Sequence, residues 1–165
     1  MVQNKLFGGT SGTTFTPNAN MTRAQLVAVL YRLDGQTEVK ESSGFSDVVA
    51  GAYYEKAVIW AKTSGIVSGY PDGSFGVSDV ITREQLAVIL HRYAAYKKYD
   101  VAVRADLKGY MDLEHVGSYA GDAMQWAVGS GIISGTSAAT LTPKGTATRA
   151  QAAVILQRFA EKFGK

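Results

Sequence analysis

At 165 residues, with 46% hydrophobic and 19% charged residues, the chain is long enough to bury a core and too apolar for a disordered segment. A formal charge of +3 without a run of lysine or arginine argues against a nucleic-acid or membrane-surface patch, and the absence of cysteine removes any disulfide framework or thiolate metal site. No apolar run approaches the roughly 18 residues that a membrane span needs.

The opening, MVQNKLFGG, lacks the apolar core of a signal peptide, so Met1 is expected to be a cloning start or a cut inside a longer protein. A Gly-containing loop follows, and then a helix opened by Thr22, where Leu26 to Leu30 are apolar in succession. Residues 34–44 read as a polar connector. Ala57, Val58, Trp60 and Ala61 fit a helical face, which predicts a helix from Tyr53 to Thr63. Tyr70-Pro71-Asp72-Gly73 is a turn signal. A second buried helix opens at Thr82, and residues 97–109 form another connector. The pattern then returns as a helix from Tyr119 to Gly129, a loop, and a helix opened by Thr148. The loops are expected to form tight turns or short extended pairs.

These elements are copies of one another. LFGGTSGTTFTPNANMTR, IVSGYPDGSFGVSDVITR and IISGTSAATLTPKGTATR align without gaps, matching Gly9, Gly69 and Gly135, and Phe15, Phe75 and Leu141. Upstream, Asp47 pairs with Asp112, Tyr53 with Tyr119, and Trp60 with Trp126. The first copy has only its latter half. A helix apolar on nearly all sides is buried on nearly all sides, so the three Thr-opened helices are expected to pack together as a central bundle.

Each Thr-opened helix has a capping box: the Thr hydroxyl accepts the amide of the Gln three residues on, and that Gln reaches back. The residue between is harder to explain. Arg23, Arg83 and Arg149 put a cation at the positive end of the helix dipole, at a cost of about 0.3–1 kcal/mol when exposed. Two readings stand. The guanidinium folds onto a carboxylate such as Asp47, Asp79 or Asp112 and staples repeats, or it joins free helix amides in receiving an anion. Arg32, Arg92 and Arg158 are expected in last turns, where a cation suits the dipole.

Other side chains carry plain readings. His91 and His115 share no ligand spacing, and no nucleophile is matched with a base, so neither metal nor catalysis is expected. Asp72-Gly73-Ser74 lacks the rest of a calcium loop. Trp60 and Trp126 are expected in the core, Tyr53 and Tyr119 near ligand.

The succession FSDV, then YYEKAVIWAKTSGIVSGYPDGSFGVSDVITREQLAVIL, resembles the S-layer homology repeat, and the likeness runs from about Leu6 to Phe163. The resemblance implies an all-α fold of tandem helix-loop-helix repeats in a pseudo-threefold arrangement around a central three-helix bundle. It divides the chain into the second half of one repeat (1–34) and two whole repeats (44–97 and 109–163), acting as one module. It implies non-catalytic anchoring at the bacterial cell surface, by binding an anionic, pyruvylated secondary cell-wall polysaccharide, with no cofactor, nucleic acid or membrane insertion. The family's groove arginine falls on Arg23, Arg83 and Arg149, its loop glycines on Gly69 and Gly73, with Gly9 and Gly135 at the first of these places, and its acidic residue on Asp47 and Asp112. Two departures stand out: Tyr53 and Tyr119 where Trp is common, and Gln in place of the Glu that usually ends the Thr-Arg helix start. The alternative is a structural or protein-binding module with the arginines as internal staples. The incomplete first repeat implies exposed apolar surface near Leu6, Phe7 and Leu30, and hence weak self-association.

Overall fold

A computed structural model describes residues 16–164. The expectations on Leu6, Phe7, Gly9 and Phe15 lie outside the described residues. Among the described residues five α-helices follow one another: α1 (Arg23–Leu33), α2 (Glu55–Thr63), α3 (Arg83–Tyr96), α4 (Gly121–Gly129) and α5 (Arg149–Phe163). Short 3-10 turns at Leu113–His115 and Ser118–Ala120 precede α4. No strand forms among the described residues; extended pairing is limited to isolated antiparallel bridges, Thr22 with Val80 and Thr82 with Thr146. The fold is all-α.

The helix starts follow from local chemistry. Thr22, Thr82 and Thr148 are extended N-caps, and all three capping boxes close. In α3 the Gln85 amide donates to Thr82 Oγ1 at 3.2 Å, and the Thr82 amide donates to Gln85 Oε1 at 3.1 Å. Both groups are thereby satisfied within four residues of chain. The first helices of the repeats begin later than their apolar pattern indicates, at Glu55 and Gly121, so Tyr53 and Tyr119 precede α2 and α4 rather than opening them. The 3-10 turn at Ser118–Ala120 occupies the place of the missing helical turn.

The chain divides into two compact units, residues 1–81 and 82–165. The break falls at a Thr-opened helix, not in a connector. Each unit therefore joins the second helix of one repeat to the first helix and loop of the next.

In the first unit, α1 packs on α2. Leu26, Val27, Leu30, Val58 and Trp60 are buried, and the Tyr31 and Trp60 rings lie 5.6 Å apart. Trp60 also donates its indole N–H to Asp34, the C-cap of α1, at 3.1 Å. Leu30 is fully buried, so it adds nothing to an exposed apolar surface.

In the second unit α3 packs on α4, and an aromatic cluster ties in α5. Trp126 is fully buried; its ring stacks on Phe163 at 6.0 Å and meets Phe159 edge-on, while Phe159 meets Tyr93 at 5.7 Å. Both tryptophans are thus core residues, each adding a large apolar surface with its one donor satisfied. The connector between α3 and α4 is not loose. The Trp126 indole donates to Asp100 O, the Ala105 amide donates to Gln125 O, and Leu107 is buried. His91 lies against the Trp126 ring at 5.1 Å, where burial lowers its pKa.

Candidate functional site

The loops before α3 and α5 are each organised by one aspartate. Asp47 Oδ1 accepts from the Phe75 amide at 2.7 Å, and its Oδ2 accepts from Gly76 at 2.8 Å and Val77 at 3.0 Å. Asp112 repeats this, accepting from Leu141 and Thr142, both at 2.8 Å. Burial raises the Asp47 pKa, but the three amides outweigh it and leave the carboxyl below its usual range. For Asp112 the Leu141 amide is the largest influence, and the net direction is again down.

The same loop residues hold the arginines through their carbonyls. Arg23 Nε donates to Phe75 O at 3.0 Å, and Arg83 Nε donates to Leu141 O at 2.9 Å. Arg83 Nη2 also donates to Ser134 O at 2.6 Å. Arg23 lies instead between aromatic faces, 4.9 Å from the centroids of both Tyr70 and Phe75. The contacts of both guanidinium groups are with carbonyls and rings, not with the aspartates proposed as staples. Arg149 is equally buried, at 4% exposure.

The helix amides are used internally. The Arg23 amide donates to Asp79 O, and those of Arg83 and Glu84 donate to Gly145 O and Pro143 O. At α3 the first three amides are all taken, the third by Thr82. Any anion there must therefore be received by the guanidinium, not by the helix end.

Arg83 lines a groove of about 350 Å³ with Gly135, Thr136, Gln151, Val154 and Arg158. Burial pulls its pKa down, with the Asp112 charge opposing. A desolvated cation held by neutral carbonyls favours a nearby anion. Arg158 comes to this groove because α5 runs on to Phe163, which places that arginine before the last turn; Arg92 is likewise interior to α3, and only Arg32 sits in a last turn.

Glycines permit the close loop geometry. A Cβ on Gly135 would lie 2.5 Å from Ser137 O and 2.7 Å from Thr140 O. Gly69 adopts φ +76°, and its Cβ would strike the Phe45 ring at 2.3 Å. Gly73, at φ +86°, faces open space and serves the turn, where its amide donates to Tyr70 O.

The tyrosines go elsewhere. Tyr53, 65% exposed, lines a separate groove of about 200 Å³ with Tyr31, Arg32 and Lys56. Tyr119 donates its hydroxyl to Glu84 at 2.8 Å. The structure therefore brings Arg83 and Gly135 to one groove, links Asp112 to Arg83 through Leu141, and leaves Tyr53 and Tyr119 on other surfaces. Sequence reasoning missed Glu84, Lys144 and Arg158 as polar groups at these sites.

The repeat geometry agrees with the comparisons. The S-layer homology domain family matches residues 1–27, 44–87 and 110–153, and the chain belongs to that family. It is 31% identical to an endoglucanase of Bacillus sp. (strain KSM-635) over 94% of this chain and 16% of that protein. A cellulosome-anchoring protein of Acetivibrio thermocellus is 26% identical over 93% of the chain and 35% of its own length. A surface-layer 125 kDa protein of Lysinibacillus sphaericus is 27% identical over 93% of the chain and 13% of its own length. The chain thus spans only a small share of these relatives, and the hydrolase likeness is confined to that share. The shared segment is a cell-surface module.

Proposed function

We propose that the chain is a non-catalytic anchoring module that attaches a larger protein to an anionic, pyruvylated cell-wall polysaccharide. The observation that carries this is Arg83: a cation 8% exposed, held by carbonyls, on the wall of a groove. Two of its five N–H groups are accounted for by Leu141 and Ser134. A carboxylate on a sugar would complete the pair, at about 1.5–3 kcal/mol for a charge-assisted contact. The Gln151 side-chain amide offers donors to the sugar, and Val154, 46% exposed, offers it an apolar face. Arg23 and Arg149 are proposed to serve equivalent contacts, with Asp47 shaping the loop that holds Arg23 and Asp112 the loop that holds Arg83. Tyr53 and Tyr119 are proposed as sugar contacts on their own surfaces, away from the Arg83 groove, and Gly69, Gly73 and Gly135 as the positions that let the chain approach. The three repeats act as one module in this reading, and the named cellulosome-anchoring relative supports it.

A second reading rests on the Nε contacts with Phe75 and Leu141, which join helix starts to loops and make the arginines internal staples. Co-sedimentation with purified cell-wall sacculi separates the two. Wild-type binding that is lost in a folded Arg83→Ala variant supports anchoring. No wild-type binding, with a sharply lower melting temperature for the variant, supports the staple.

A further inference from the structure

The start of α3 differs from the other Thr-opened helices at one position: Glu84 stands where they carry Ala24 and Ala150. Glu84 is 1% exposed, yet donors from distant parts of the chain converge on its carboxylate. Oε2 accepts from the Gly117 amide at 2.8 Å; Oε1 accepts from the Tyr119 hydroxyl at 2.8 Å and from the Lys144 ammonium. Two of these donors belong to exposed residues, with the Lys144 side chain 61% and Tyr119 56% exposed. Gly117 is required for the arrangement, since a Cβ there would lie 2.6 Å from the Tyr119 ring. A backbone amide, a phenol and an ammonium aimed at one point form a donor set suited to a carboxylate, and the buried side that they face is filled by the protein's own.

We propose that Gly117, Tyr119 and Lys144 form a carboxylate-binding subsite, separate from the Arg83 groove, that Glu84 keeps occupied. The tethered carboxylate is present at an effective concentration that a free ligand does not match, so the wild-type subsite is closed to outside anions. Replacing Glu84 by the alanine of the other copies vacates the space and leaves the donors facing it. The occupant is then a small carboxylate, free or carried by a saccharide; the exposed Tyr119 ring favours a saccharide, which has a face to stack on it. This inference goes beyond the wall-polymer reading and does not need it, because its readout is at Gly117 and not at Arg83.

The test is an NMR titration of the full chain with acetate and with galacturonic acid at constant ionic strength, following the Gly117 amide. In wild type the resonance stays put. In Glu84→Ala it shifts saturably, with apparent affinity at least about tenfold above wild type, and Lys144→Met in the same background removes the effect. Tighter binding of galacturonic acid than of acetate identifies a saccharide-borne carboxylate; equal binding identifies a site for the bare anion. Should Glu84→Ala fold poorly, Glu84→Ser, which also vacates the space, is read in the same way and must show tighter binding than wild type. A Gly117 amide unmoved in the folded variants, or moved equally in wild type, overturns the proposal.

Discussion

Asp112 and Arg83 are linked through a single residue, Leu141, whose amide donates to the aspartate and whose carbonyl accepts from the arginine. Asp47 and Arg23 share Phe75 in the same way. The acidic residue thus fixes the loop, and the loop fixes the cation. Energetic coupling without contact is the expected consequence. In a double-mutant cycle by chemical denaturation, Asp112→Ala should cost about 1–3 kcal/mol. Its effect should be non-additive with Arg83→Met by about 0.5 kcal/mol or more. Additive effects would mean that the loop holds its shape without the aspartate.

The glycines should rank by what their Cβ meets. Gly73→Ala adds only the cost of a left-handed backbone, about 1–2 kcal/mol, since nothing lies near. Gly69→Ala adds a clash with Phe45 and the Ser74 carbonyl to the same backbone cost. It should be the more destabilising of the two by more than about 1 kcal/mol. Gly135→Ala should distort the Thr136–Thr140 turn and reduce binding at the Arg83 groove. Thermal melts of the three variants check the order; equal losses at Gly73 and Gly69 would contradict it.

Acid should unfold the module through carboxylates held below their usual range. For Glu84, burial raises the pKa, but the Gly117 amide, Lys144 and Tyr119 together bring it down; Asp47 and Asp112 are lowered by loop amides. A depressed native pKa means stability that is complete above the unfolded value, about 4 for these groups, and lost as pH falls through the native values. Melting temperature should therefore be level from neutral pH down to about 5 and fall below about 4. Glu84→Gln should remove part of that fall. A melting temperature that rises on acidification would contradict the assignment.

The caps were legible because they are local. Thr82 and Gln85 lie three residues apart and satisfy each other whatever surrounds them, so the sequence alone locates the helix start. Thr82→Ala should cost about 1 kcal/mol, measurable as a lower melting temperature, with Thr148→Ala similar. The contacts of Arg83 were not legible, since a backbone carbonyl has no side-chain signature and Leu141 looks like any core residue. The fate of the helix amides was hidden for the same reason: Pro143 and Gly145 accept them through main-chain oxygens. Glu84 did leave a signal, as the one acid where the other copies have alanine, and its meaning appears only when Gly117, Tyr119 and Lys144 are seen around it. Tyr53 and Tyr119 were displaced from the helix starts because apolar periodicity does not mark where a turn, at Tyr53, or a 3-10 turn, at Tyr119, precedes the helix.

The most direct measurement is calorimetric titration of the chain with purified wall polysaccharide before and after chemical removal of its acidic substituents. Anchoring through Arg83 predicts that the stripped polymer binds at least about tenfold more weakly, equivalent to about 1.4 kcal/mol. Equal affinity for the native and stripped polymers would contradict it.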